Sequence, residues 1–209
     1  MSPAAADSAR RDSIWLMVNG GANAETGVTH YYPRKVVSGV GCVSNASVRQ
    51  IRNRLIFLSE DGLYAFDGTP NIKKVTVDQE TGVDRLPLTV ATINRARRKF
   101  CAAAHWRKYR CYLLAVPTNG SVVNDKVIVW EYEKDRWWVW DNIEAQTWLE
   151  DEGVGDDERL LFGDSSGRLY EIGAGQTDDG AAIASYATTQ RFGYGQNATL
   201  RARAVDLLT

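Results

Sequence analysis

A hairpin written twice constrains this chain more than any other feature. The first copy is Arg54-Leu55-Ile56-Phe57-Leu58-Ser59-Glu60-Asp61-Gly62-Leu63-Tyr64-Ala65-Phe66-Asp67-Gly68. Leu55 to Leu58 form a mostly apolar strand, Glu60-Asp61-Gly62 turns it, and Leu63-Tyr64-Ala65-Phe66 returns. Asp-Gly between two apolar runs is a strong hairpin signal, because Gly takes positive φ without steric cost. Roughly a hundred residues later, against a typical blade period of about 40–50, the pattern recurs as Arg159-Leu160-Leu161-Phe162-Gly163-Asp164-Ser165-Ser166-Gly167-Arg168-Leu169-Tyr170-Glu171-Ile172. An apolar strand, an acidic or Ser turn with Gly, and a returning Leu-Tyr are common to both. Repetition of this kind marks stacked antiparallel sheets.

The rest of the chain reads in the same idiom. Ile14 to Val18 is a compact strand stopping at Asn19-Gly20-Gly21, with Thr29 to Tyr32 as its partner and Pro33 as its end. Phe100 to His105 and Arg110 to Val116 form a hairpin around Arg107-Lys108. Lys126 to Tyr132 and Trp137 to Trp140 form another, with Glu133-Lys134-Asp135-Arg136 as its loop. That loop sets Tyr132 opposite Trp137 and gathers Ile128, Trp130, Tyr132, Trp137 and Val139 on one face. Leu88 to Arg98 is the one candidate helix, with a thin apolar side, and reads as a short helix or an irregular crossover. Glu150 to Glu158 reads as an acidic loop, 173–180 as a turn, and further strands are expected near 183–191 and 200–208. The expected fold is all-β: a β-propeller-like array of antiparallel hairpin blades, a partial or small propeller, with at most one short helix. Residues 1–13 are expected to be a flexible arm and 14–209 the propeller-like domain. The length supplies about three to four blades, where ring closure takes about four to eight.

Composition narrows the function classes. The chain has 209 residues, 44% hydrophobic and 24% charged, as in an ordinary globular domain. A formal net charge of -1 means that any nucleic-acid role would need a local patch. No apolar run reaches the roughly 18 residues of a membrane span, and Met1 to Asp12 has no signal-peptide core. Three Cys make no disulfide framework, so Cys42, Cys101 and Cys111 are expected to be reduced and buried.

Val43-Ser44-Asn45-Ala46-Ser47-Val48, followed by the run Leu55 to Gly68, resembles a signature of the propeller-bearing tail proteins of tailed bacteriophages, the hub, nozzle or stabilisation components. Tyr112-Leu113-Leu114-Ala115-Val116-Pro117, then Val127-Ile128-Val129-Trp130-Glu131-Tyr132 and Trp137, is similar to a second pattern of that family. Ser166-Gly167-Arg168-Leu169-Tyr170, Thr177 to Ile183 and Arg191-Phe192-Gly193 follow in the same order. The likeness covers most of 36–209. The chain is shorter than that family's members, so it is expected to be a fragment, a reduced version, or one completed by neighbours. The resemblance implies a structural virion component of a tail or neck, assembled in the host cytoplasm. It implies a homo-oligomeric ring that touches adaptor and tail fibre or spike proteins, and passage of DNA without sequence-specific binding. It carries no catalytic residue and no cofactor. The reading from another class is a carbohydrate- or receptor-binding propeller module.

Candidate chemistry is sparse. His105 near Cys101 or Cys111 has the residue types of a nucleophile pair, but lining a hairpin accounts for all three. Three Cys with His30 or His105 lack CxxC zinc spacing. Glu150, Asp151, Glu152, Asp156, Asp157 and Glu158 lack the Asp-x-Asp-x-Asp-Gly order of a calcium loop. No catalytic, cofactor or metal residue is therefore assigned. Arg95, Arg97, Arg98, Lys99, Arg107, Lys108 and Arg110, interleaved with Phe100, Trp106 and Tyr109, form the one basic concentration, suited to single-stranded nucleic acid or to a subunit contact. The expected interface anchors are Trp137, Trp138 and Trp140, with Arg97, Arg98 and Lys99. Blade core is the competing reading for the tryptophans.

Overall fold

The computed structural model describes residues 12–77, 82, 84–86, 90–151 and 158–173, with the backbone of 177–178 and 181–182. These residues are all-β, built from antiparallel sheets. The chain divides into two compact units, Met1–Ile172 and Gly173–Thr209. In the second, Thr177–Asp178, inside the stretch expected to be a turn, pairs with Ala181–Ala182 just beyond it. The strands expected near 183–191 and 200–208 lie outside the described residues.

The first unit begins with a two-stranded ribbon, β1 (Ser13–Ala22) and β2 (Thr29–Ser38). Both strands run longer than the sequence suggests. Pro33 does not end β2 but pairs with Met17. A ribbon of two strands has only edges, so Pro can sit where no inward N–H is needed.

Three meanders follow. The first sheet is β3 (Arg49–Ile51), β4 (Arg54–Leu58), β5 (Leu63–Phe66) and β6 (Lys73–Lys74). Sheet two is β7 (Ala102–Trp106), β8 (Cys111–Val116), β9 (Lys126–Glu131) and β10 (Arg136–Asp141). A third has three strands, β11 (Thr147–Asp151), β12 (Arg159–Gly163) and β13 (Leu169–Glu171). The two copies of the hairpin are thus the second and third strands of the first and third sheets. Gly62 is required in the first copy by space: a Cβ there would meet Lys74 Cε at 2.5 Å and Thr76 Oγ1 at 2.7 Å.

Alternation along each strand divides the apolar residues into layers. Phe57, Tyr64 and Phe66 of sheet one face the ribbon's Ile14, Leu16 and Val37. Its Ile56, Leu58, Leu63 and Ala65 face Tyr112, Leu114, Ile128 and Trp130 of sheet two. On the far side of sheet two, Leu113, Ala115, Val127 and Val129 meet Leu160 and Phe162 of sheet three. Sheet two is covered on both faces, which is why every residue of β8 is buried and its sequence is an unbroken apolar run. The order is ribbon, sheet one, sheet two, sheet three. The first strands of the three sheets lie against one another, β3 on β7 and β7 on β11, as in successive blades of a propeller.

Buried polar atoms fasten sheet one to sheet two. Ser47 Oγ donates to Ser44 O at 2.7 Å and accepts from Leu58 N at 3.0 Å, while Tyr112 Oη donates to Ser47 O at 2.7 Å. Ser44 Oγ lies 2.6 Å from Cys101 O. These serines belong to the Val43–Val48 stretch, folded as the 3-10 turn Asn45–Ser47.

One open reading is decided and two expectations need correcting in detail. Over Leu88 to Arg98 the chain is an irregular crossover rather than a helix, with two 3-10 segments, Val90–Thr92 and Arg95–Phe100, and Leu88 outside the described residues. A bridge from Ile93 to Thr118 separates them, and the Asn94 side chain caps the second by accepting from Ala96 N. Across β9 and β10, Trp137 opposes Trp130 rather than Tyr132. A shift of two positions keeps every side chain on its expected face. Glu150 and Asp151 are strand residues of β11, not loop. Among the described residues no helix is long and apolar enough to cross a membrane.

Candidate functional site

The first strands converge on one carboxylate. Glu150 of β11 accepts at Oε1 from Arg49 Nε of β3 and from the His105 backbone N–H of β7, each at 2.9 Å. Both side chains of the ion pair are about three-quarters shielded from solvent. Beside this junction His105 Nε2 lies 3.2 Å from Tyr132 Oη, and the Arg52 guanidinium sits 5.6 Å above the Tyr132 ring. Glu133 pairs with both Arg52 and Arg110. Burial lowers the His105 pKa, helped by Arg107 and Arg49 and opposed by Glu150 and Glu158. Burial also raises the Tyr132 phenol. A depressed imidazole pKa means that unfolded chains take up the proton first, so stability is full above the ordinary value of 6.5 and is lost as pH falls below it. Urea melts between about pH 8 and about pH 5 should show this loss, and His105→Gln should flatten it over that range.

Next to the junction lies a groove of about 770 Å³ between sheets one and two. Its apolar floor carries Arg52, Arg54, Lys73, Arg85, Trp130 and Tyr132 around it, with Asp135 as the one acid in the lining. Asp135 pairs with Arg85 and accepts from Trp130 Nε1 at 2.9 Å. Cationic and aromatic groups over an apolar floor suit an anionic or a sugar-like guest.

No protein family matches this chain, and no curated protein matches it. The site is therefore read from its own residues.

The structure separates the basic concentration into two. Arg95–Phe100 precedes β7 and the Arg107 to Arg110 turn follows it, so the halves lie at opposite ends of a five-residue strand, about 17 Å long. Arg107 N and Lys108 N donate to Glu158, and Trp106 is buried against Trp140 and Tyr109. Arg98 is largely buried and fastened to Glu60 through both its carboxylate and its backbone oxygen. Arg97 and Lys99 stay at the surface over the exposed Phe100 ring, at 5.4 and 5.0 Å.

Trp137, Trp138 and Trp140 lie on β10, the edge strand of sheet two, and all three are half-buried. Trp137 stacks on Trp130 at 5.2 Å with an interplanar angle of 10°. Trp138 and Trp140 pack on the opposite face, Trp140 edge-on to Trp106. They contribute to the core and still present an edge to solvent.

Cys101 and Cys111 face opposite layers, Cys101 towards sheet one and Cys111 towards sheet three. All three thiols are free. Burial pushes Cys101 up to about 12, and burial with the nearby Glu131 pushes Cys111 up to about 11. Both are therefore thiols rather than nucleophilic thiolates at neutral pH. Among the described residues no group of three or more His, Cys, Asp or Glu converges as a metal site. Glu152, Asp156 and Asp157 of the acidic stretch lie outside them.

Sequence reasoning missed Glu150 as a junction and the full length of the ribbon's strands. For the first the local signal was only the strand-favouring Thr147-Trp148, with no polar/apolar alternation across Thr147 to Glu150.

Proposed function

We propose that this chain is a structural building unit of a ring, and that the ring belongs to the tail or neck of a tailed bacteriophage virion, as a hub or nozzle component around the DNA channel. The observation that carries the proposal is the serial stack of meanders whose first strands lie side by side and are joined at Glu150. Such a stack resists deformation and repeats along one direction, as a ring wall requires. The collinear likeness to phage tail signatures supplies the biological setting. In it the chain assembles in the host cytoplasm, meets adaptor and fibre or spike proteins, and lets DNA pass without reading its sequence. Mass photometry at micromolar concentration should show a discrete multiple of the 23.2 kDa chain. A monomer at every concentration, without affinity for any tail component, would refute the proposal.

The groove beside Trp130 and Tyr132 favours a second reading, a carbohydrate- or receptor-binding module. A glycan array separates the two: saturable binding to one glycan class, lost in Trp130→Ala, would support this reading over the first.

A further inference from the structure

Among the described residues nothing covers the two ends of the stack, and the ends differ. At one end the ribbon turns Ile14 and Leu16 inward onto sheet one. The alternate residues Trp15, Met17 and Tyr31 face outward, 54%, 65% and 61% exposed, with Pro33 and Lys35 in the same rows. At the other end sheet three turns Trp148, Leu160, Phe162 and Tyr170 towards sheet two. Its outer face carries Leu149, Leu161 and Leu169 in adjoining rows, with Leu149 55% and Leu169 63% exposed and Glu171 beside Leu161.

We infer that the outer face of the ribbon in one copy packs on the outer face of sheet three in a second copy. Every internal junction in the stack already joins apolar faces in this way, and this contact continues the series. Each face presents a row of apolar side chains, and exposed Lys35 on one complements exposed Glu171 on the other. The faces are unlike, so the contact is head-to-tail and each copy keeps one free face of each kind, which closes rings or extends filaments. The inference rests on the ring reading above and assigns its contact surfaces.

Trp15→Asp and Leu169→Asp each remove one face. Both residues are more than half exposed, so thermal melts of the variants should match the parent. Each variant alone should be monomeric, its dissociation constant raised at least about tenfold. A mixture of the two retains one intact contact, and should give dimers and nothing larger. Lys35→Glu should weaken assembly, and Glu171→Lys in the same chain should restore it. Multimers that persist in Trp15→Asp and Leu169→Asp would overturn this contact and leave the ring reading standing. A parent chain monomeric at tens of micromolar would overturn this contact, and the ring reading too if it also lacked affinity for any tail component.

Discussion

Leu114→Ala and Leu113→Ala, neighbours on β8, should each cost about 2–5 kcal/mol and should loosen different parts of the molecule. Both side chains are fully buried. Leu114 points into the layer shared with Ile56, Leu58, Leu63 and Ala65, and Leu113 into the layer shared with Leu160 and Phe162. Each truncation removes apolar contact and leaves a cavity, and the cavity cost depends on how far the neighbours can collapse. Sheet two is held on both sides, so it has little freedom to move into either void. Denaturant melts should therefore give losses of similar size. Hydrogen exchange should tell the variants apart: Leu114→Ala accelerates amides of β4 and β5, and Leu113→Ala those of β12 and β13. Identical exchange maps would mean that the layers open as one unit, contrary to the expectation that stacked elements interact chiefly with their neighbours.

Local pairings were readable because their signals are local. The Asp61-Gly62 turn places β4 against β5, and the unbroken apolar run of Cys111 to Val116 announces a strand covered on both faces. Register depended on something finer. A four-residue loop between β9 and β10 can be drawn over Glu133 to Arg136 or over Tyr132 to Asp135. The second is adopted, with Asp135 in the left-handed region at φ 52° and its carboxylate accepting from Trp130 Nε1. No composition rule selects that Asp over its neighbours. The basic concentration failed differently. Adjacency in sequence suggested a patch, but a strand carries its two ends apart, and Arg98 turned out to fasten sheet one through Glu60.

The same reasoning explains why Glu150 was invisible as a junction. Its partners lie 101 and 45 residues away in sequence, so nothing near it records the contact. An acid between Leu149 and Asp151 has the composition of a solvated loop until its strand is placed beside two others. Glu150→Ala should lower stability by about 2–3 kcal/mol, because a charged acceptor is removed from two donors that stay sheltered. In a chain of this size that is a drop in melting temperature of about 4–12 °C. Glu150→Gln keeps one acceptor oxygen but loses the charge, and should fall between the alanine variant and the parent. Arg49→Met should be less than additive with Glu150→Ala, since the two share an interaction. The most local readout is the His105 amide. Its N–H is directed to Glu150, so in Glu150→Ala its protection should drop well beyond the roughly 30- to 160-fold that a global loss of about 2–3 kcal/mol gives the Leu113 amide within sheet two. If the His105 amide kept its protection, the first strands would be held together by packing alone, and Glu150 would be a bystander at the junction.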